Sequence, residues 1–315
     1  MSVADGRELA ARLRERDVSA APAVLNLVES STPSARQQTE ALLSALGTDA
    51  PAHIVGVTGP PGVGKSSLLS RLVSAWRARG RSVAVLAVDP TSKRSGGALL
   101  GDRARIDVDP TDRGVFVRST AAGDRLGGLA PATRAAASAL AAAFDVVVIE
   151  TVGVGQSETE VADVADTVVV VVQPGSGDVL QFLKAGIMEV PDVLVVTKSD
   201  LGRVATRALA DLRAALSSLG ASDTAVVTVS SVPPPSGIEE LLDALDAHRA
   251  ALDRPARRLR ARRLHALADF AAEYGDRGVR ALGGRRAAEK WLAEQPAALD
   301  VPALTRALET RAADC

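Results

Sequence analysis

Cysteine is all but missing from this chain: the only one is Cys315, the last of 315 residues. An intramolecular disulfide is therefore excluded, and a metal cage built on several thiolates has no ligands to draw on. Aromatic residues amount to 2% against a hydrophobic content of 47%, so Ala, Leu and Val have to fill the core. Charge of one sign is also lacking. The 37 Lys and Arg nearly cancel the 38 Asp and Glu, and a formal charge of -1 gives no electrostatic reason to expect nucleic acid or an acidic membrane as partner. No run of 18 apolar residues occurs, and the opening "MSVADGRELAARLRERD" has no apolar stretch ahead of a cleavage site. This reading predicts a cytoplasmic protein without a membrane span.

What is present is a change of texture along the chain. Residues 1–50 read as helix, with "GRELAARLRERD" and "SARQQTEALLSALG" each placing apolar residues at helical spacing. From 51 to 251, short apolar β-branched runs alternate with helix patterns. The runs are "HIVGVTG" (53–59), "SVAVLAVD" (82–89), "GVFVRS" (114–119), "DVVVIE" (145–150), "DTVVVVV" (166–172), "DVLVVTK" (192–198) and "TAVVTVS" (224–230). Helices are expected at about 65–79, 130–143, 178–189, 203–219 and 236–250. Near-continuous apolar strands separated by helices imply an α/β fold, a doubly wound and mostly parallel sheet covered on both faces. Residues 252–315 return to helix, opening with the basic run "RPARRLRARRLHALADFAAEYG". That run can meet an acidic partner, a solvated helix face being the plainer alternative. The expected organisation is a helical segment at 1–50, a nucleotide-binding domain at 51–251 and a helical extension at 252–315.

"GPPGVGKS", residues 59–66, matches G-x-x-x-x-G-K-[ST] in full, between an expected strand and an expected helix. That context makes it a P-loop NTPase signature. Gly59, Gly62 and Gly64 let main-chain N–H groups turn inward around phosphate oxygens at the positive helix end, and Pro60 and Pro61 stiffen the turn. Lys65 would reach the β- and γ-phosphates, and the Ser66 hydroxyl would complete a Mg²⁺ shell, with Val63 and Ser67 completing the loop. Further carboxylates end or follow strands on the same edge. Asp89 closes one run, Asp102 follows in "VDPTSKRSGGALLGDRARID", and Glu150 opens "ETVGVGQSE". Such carboxylates can hold the metal or its water, and Gly153 can offer its N–H to the γ-phosphate. A helix cap is the plainer reading of any one of them.

"TKSD", residues 197–200, closes another strand. Asp200 can accept two parallel hydrogen bonds from the N1–H and N2–H₂ of guanine, an edge that adenine does not offer, and rejection by unpaired buried groups can reach about 10⁴-fold. The stem of Lys198 can lie over the ring. In the NKxD pattern of GTPases Asn stands where this chain has Thr197, whose hydroxyl can still donate to N7; TKxD is similar to what signal-recognition-particle GTPases use. Ser230 and Ser231, at the end of a later strand, can add main-chain contacts to the base. A capping Asp is the plainer alternative.

Taken in order, GPPGVGKSS, VDPTSKRSGGALLGDRARI, ETVGVGQSE, QPGSGDVLQFLKAGIMEVPD and TKSD resemble the MeaB/MMAA family, ArgK in older naming. These are G-protein chaperones of adenosylcobalamin-dependent acyl-CoA mutases. The resemblance runs from "LNLVESSTPSARQQTEALL" to about residue 255. It implies GTP and GDP as ligands with Mg²⁺, and Lys65, Asp89, Asp102 and Glu150 as the catalytic and metal-holding set. It also implies switch loops at 151–160 and 173–189 facing the mutase, the latter with Gln173, Asp178 and Lys184 as candidate contacts, and a homodimer built on C-terminal helical arms. Hydrolysis would gate cobalamin loading, or release of damaged cobalamin, on a methylmalonyl-CoA mutase-like partner. Arg94, Arg103 and Arg105 lie in the first switch, but none stands out as an internal arginine finger, so slow intrinsic turnover is expected.

Three other readings remain open. A nickel-type maturation GTPase would need His and Cys near the switches, and His53, His248, His265 and Cys315 are scattered in sequence. A P-loop small-molecule kinase would have no use for a guanine reader. An ATPase linked to basic amino-acid transport, which the older family name suggests, would prefer ATP to GTP.

Overall fold

The computed structural model describes residues 5–89, 106–121, 129–151, 157–175 and 191–314. They fall into two compact units, Ala52–Thr133 with Phe144–Leu252, and Met1–Pro51 with Arg134–Ala143 and Asp253–Cys315.

The first unit holds β1 (His53–Thr58), β2 (Val83–Asp89), β3 (Val115–Ala121), β4 (Val146–Thr151), β5 (Thr167–Val172), β6 (Val193–Val196) and β7 (Ala225–Thr228). All seven join one sheet in the order β3-β2-β4-β1-β5-β6-β7, and every pairing is parallel. Each apolar run in the sequence is thus a strand, and the mostly parallel sheet is a wholly parallel one. In chain order the helices are α1 (Gly6–Arg14), α2 (Ala21–Val28), α3 (Pro33–Leu46), α4 (Lys65–Ala78), α5 (Pro131–Leu140), α6 (Ser157–Val164), α7 (Arg203–Ser218), α8 (Ile238–Ala251), α9 (Arg254–Ala281), α10 (Arg285–Ala293) and α11 (Val301–Ala313). α4 and α8 cover one sheet face, where Leu68, Leu72, Trp76, Leu241 and Leu245 pack with Val55, Val57, Val148 and Val169. On the other face α6 approaches so closely that a Cβ on Gly56 would stand 2.5 Å from Val161. The sequence does not announce α6, and the helix expected at 178–189 lies outside the described residues. With both faces covered, central strands have no polar side to show, hence their unbroken valine runs.

The amino ends of the strands are clipped by carboxylates. Asp145, Asp166 and Asp192 each stand one residue before a strand, and each accepts a main-chain N–H from beside it: Ser82 at 2.8 Å, Ile54 at 2.9 Å and Val168 at 2.8 Å respectively. At the start of a parallel strand the leading N–H groups have no ladder partner, and these side chains supply one. His53 Nε2 lies 2.7 Å from Thr167 Oγ1, which lies 2.8 Å from His248 Nδ1, while His248 Nε2 lies 3.2 Å from Asp192. Polar side chains thus tie β1, β5, β6 and α8 at the edge opposite the P-loop.

In the helical unit, side chains cap several helix starts. Asp5 accepts from Arg7 and Glu8, Thr32 from Ala35 ahead of α3, and Asp300 from Ala303 ahead of α11. Phe270, Leu267, Leu292, Leu304 and Leu308 form a core of their own. α9 is interrupted at Gly275, where the quoted basic segment ends. The arginines of that segment turn largely inward: Arg262 donates to Ala297 O, Arg263 to Ala293 O and Gln295 O, and Arg254 and Arg258 to Pro51 O and Ala50 O. They satisfy carbonyls that the ends of α10 and the segment after α3 leave without helical partners. This part of the basic run is an internal clamp more than a free cationic face.

Candidate nucleotide site

β1 lies at the middle of the sheet, flanked by β4 and β5, and the segment from Gly59 to Gly64 leaves its carboxyl end and turns into α4. Ligands of open parallel sheets gather at this edge. Gly59 is required by space. A Cβ there would come 2.2 Å from Val171 O, so the loop can pass β5 only without a side chain. Gly62 and Gly64 have φ of 79° and 96°, the left-handed region in which glycine is unstrained. No side chain caps α4 and no acidic residue stands in its first turn, so the leading N–H groups of Lys65, Ser66 and Ser67 keep their positive field for an anion. Lys65 is buried, and its ammonium donates to Gly59 O at 2.8 Å and Pro60 O at 3.1 Å. The expected loop residues Gly59, Pro60, Pro61, Gly62, Val63, Gly64, Lys65, Ser66 and Ser67 run unbroken from the end of β1 into the first turn of α4.

Of the carboxylates, Glu150 is buried at 1% exposure near the end of β4, in register with Val57 of β1, two residues before Gly59. Asp89 closes β2, one position beyond Val88, which pairs with Thr151. Asp102 and Gly153 lie outside the described residues, as do Arg94, Arg103, Arg105, Asp178, Lys184, Cys315 and most of the loops 151–160 and 173–189.

The TKSD segment follows β6. Thr197 is buried, and its hydroxyl donates to Val63 O at 2.7 Å, with Val172 O at 3.1 Å as a second acceptor. A hydroxyl has one hydrogen, and here it is directed at main-chain carbonyls. Thr197 thereby ties the base-reading segment to the phosphate loop, and the expected donation to N7 would require this hydrogen to leave Val63 O. Lys198 is exposed, in the left-handed region at φ 54°, and its ammonium contacts Gln173 Oε1 and, at 3.4 Å, Gly62 O. Asp200 is exposed, and its Oδ1 accepts from Ser230 Oγ at 2.8 Å. Of the main-chain groups expected to contact the base, those of Ser230 are engaged within the fold. Its N–H and C=O pair with Ser236 at 3.0 Å each, and only its side chain turns to the site. Ser231 O accepts from Arg71 Nε at 3.2 Å. Sequence reasoning missed the Ser230–Asp200 and Thr197–Val63 bonds, because both join residues far apart in the chain.

Comparison with known proteins agrees with this geometry. The model of the family described as "Methylmalonyl Co-A mutase-associated GTPase MeaB" matches residues 21–275. The chain belongs to the MeaB family. A relative from Mycobacterium tuberculosis, named a probable GTPase, is 41% identical over 252 residues, 78% of this chain and 75% of its own. The "Methylmalonic aciduria type A homolog, mitochondrial" of Caenorhabditis elegans is 40% identical over 198 residues, 58% of this chain and 49% of its own, so the match spans about half of that protein. Among solved structures, one described as "LAO/AO transport system kinase" superposes with a TM-score of 0.64 at 27% identity, covering 93% of this chain and 98% of that one. HypB from Helicobacter pylori in complex with nickel superposes with a TM-score of 0.50 at 17% identity over 69% of this chain and 93% of that one, a likeness of fold alone. The chain is a P-loop nucleotide hydrolase of the MeaB family. Among the described residues no helix is long and apolar enough to cross a membrane, and no three His, Cys, Asp or Glu side chains gather to hold a metal ion.

Proposed function

We propose that this member of the MeaB family binds and hydrolyses GTP and uses the cycle to gate adenosylcobalamin loading or repair on an acyl-CoA mutase. The observation that carries the guanine assignment is Asp200, held by Ser230 beside a phosphate loop to which Thr197 is bonded. Phosphates lie against the α4 N-terminus and Lys65, while the base meets the carboxylate at the β6 end. Catalysis asks little covalent chemistry of the chain. Lys65 and the N–H groups after Gly64 spread the charge that develops on the phosphoryl oxygens. Ser66 and Glu150 are hard oxygen donors of the kind Mg²⁺ takes, and the sequence adds Asp89 and Asp102. Bound there, Mg²⁺ would neutralise charge on the β- and γ-phosphates. The mutase partner comes from the family description and the methylmalonic aciduria homologue; the switch loops 151–160 and 173–189 are its proposed docking points, and a homodimer in the cytoplasm is proposed with it.

The test is calorimetric titration of the full chain with GTP, GDP, ATP and XTP, repeated on Asp200→Asn. GTP should bind far better than ATP, and Asp200→Asn should shift preference to XTP, whose C2 carbonyl accepts where guanine donates. Adding the mutase should change the rate of GTP hydrolysis. ATP preferred to GTP would favour the transport-linked reading that the kinase-named structure suggests.

A further inference from the structure

We propose that Ser70 is a positioning residue for the phosphate and metal end of the site: its hydroxyl joins the Ser66 carbonyl to the main chain that returns from Asp89 toward β3. The inference rests on Ser66 as the metal-facing serine, the role given above, and names what steadies it.

Ser70 follows Ser66 by one turn of α4, so the two stand on the same helix face. A serine inside a helix can bond back to the preceding turn, and this one donates to Ser66 O at 3.0 Å. Ser74 repeats the move one turn on, donating to Ser70 O at 2.9 Å. The Ser70 oxygen also accepts. Asp107 gives it a main-chain N–H at 2.9 Å, across 37 positions of sequence. The hydroxyl thus spends its one hydrogen on the Ser66 peptide and receives one from the Asp107 peptide. The order Asp107 N–H, Ser70 O–H, Ser66 C=O is a directed chain that ends on the residue expected to face Mg²⁺.

The segment that supplies Asp107 is pinned to α4 at a second level. Ile106 is 5% exposed in the same core as Leu69 and Val73 of α4, and Val108 packs against that core. Farther along, Arg77 donates to both oxygens of Asp112, each at 2.8 Å, and to Arg81 O at 2.9 Å. Asp112 also receives the Gly114 N–H at 2.8 Å, and a Cβ on Gly114 would stand 2.3 Å from the Arg77 guanidinium carbon. Arg77 lies two turns of α4 beyond Ser70, about 10 Å along the helix. Forked and closely packed, the Arg77 clamp fixes where the segment lies. The Ser70 bond is single and stands one turn from Ser66. A shift of the Ser66 peptide is carried through it to Asp107, while the clamp stays as it is.

The affinity that a nucleotide gains from Mg²⁺ is the readout, because the Ser70 hydroxyl acts on the metal-facing serine. Dissociation constants for GDP and for a non-hydrolysable GTP analogue are measured by calorimetry, with Mg²⁺ and with EDTA. The full chain is compared with Ser70→Val, Ser70→Thr, Arg77→Lys and Ser66→Ala, with a thermal melt of each. Val and Thr have the same shape at position 70 and differ in the hydroxyl. Ser70→Val should cut the Mg²⁺-dependent gain about fivefold and leave affinity in EDTA within about twofold, whereas Ser70→Thr should keep the gain. Arg77→Lys, which cannot reproduce the fork on Asp112, should melt lower and still keep the gain. If Ser70→Val does not fold, Ser70→Ala, a better helix former, takes its place with the same expectation. An unchanged gain in the variant without the hydroxyl, or a loss matched by Ser70→Thr or Arg77→Lys, overturns the positioning role while Ser66→Ala still abolishes the gain. If Ser66→Ala leaves the gain intact, the metal-facing reading of Ser66 fails, and the inference with it.

Discussion

Thr197 spends its one hydrogen on Val63 O and Val172 O, which makes it a joint between two loops. Thr197→Val keeps the shape and removes the donor, leaving a buried carbonyl short of a partner. Stability should fall by about 1–2 kcal/mol. Nucleotide affinity should fall a few-fold and equally for GTP, GDP and ITP, because the phosphate loop loosens while Asp200 stays in the grip of Ser230. Urea unfolding and three titrations check this, and a loss confined to guanine nucleotides would return Thr197 to the base. A second residue-scale test concerns Gly59, where a methyl would meet Val171 O at 2.2 Å. In Gly59→Ala either the loop or β5 must move, so nucleotide binding should be lost in calorimetry even where circular dichroism shows a folded chain. Residue identities in "GPPGVGKS" were legible because every atom that matters is local. The partners of Thr197 and Ser230 were not, since 134 and 30 positions separate them from theirs and no local pattern reports a fold-brought contact.

Among the elements, the strands were the most readable, because a strand covered on both faces must be apolar throughout and such runs as "TVVVVV" have no other use in a chain of this composition. α6, "SETEVADV", went unread because its polar residues break the apolar rhythm. The Asp that opens three of the runs was in plain view. Its meaning was not, since which N–H it accepts depends on the sheet order, and order is a tertiary property. Asp166 makes the point testable. It is fully buried and accepts from Ile54 N at 2.9 Å, at the edge away from the P-loop. Asp166→Ala should lower the unfolding free energy by about 2–3 kcal/mol, the cost of a buried donor left unpaired. GTP affinity of the folded fraction should stay within twofold. Paired denaturation and titration decide it; an affinity loss much beyond twofold would mean that the clipped edge transmits strain along β1 into the phosphate loop.

For the molecule as a whole, each unit carries a histidine whose protonation burial opposes, and this sets how stability follows pH. In the sheet unit the ring of His53 is buried and its pKa falls to about 4 from an ordinary 6.5, chiefly through loss of hydration. The carboxylates of Asp166 and Asp246 pull it up, and Arg249 and His248 push it down. In the helical unit His265 falls to about 3, again through burial first and then the charge of Arg134. A histidine that is harder to protonate folded than unfolded contributes nothing above pH 6.5, where both states are neutral. Below that the unfolded chain binds a proton that the folded chain refuses, so stability falls with pH until about 4, where His53 protonates in the fold as well. Two and a half pH units of this linkage correspond to about 3 kcal/mol for His53. Urea midpoints taken from pH 7.5 down to 4.5 should therefore drop steadily below about 6.5, with a slope approaching two protons if both rings contribute. His53→Gln, which keeps a donor toward Thr167, should start less stable at neutral pH and then lose about one proton's worth of slope over the same window. A wild-type midpoint that stays level from 6.5 to 4.5 would show that both rings accept protons in place, and that the sheet's amino edge opens more readily than its packing implies.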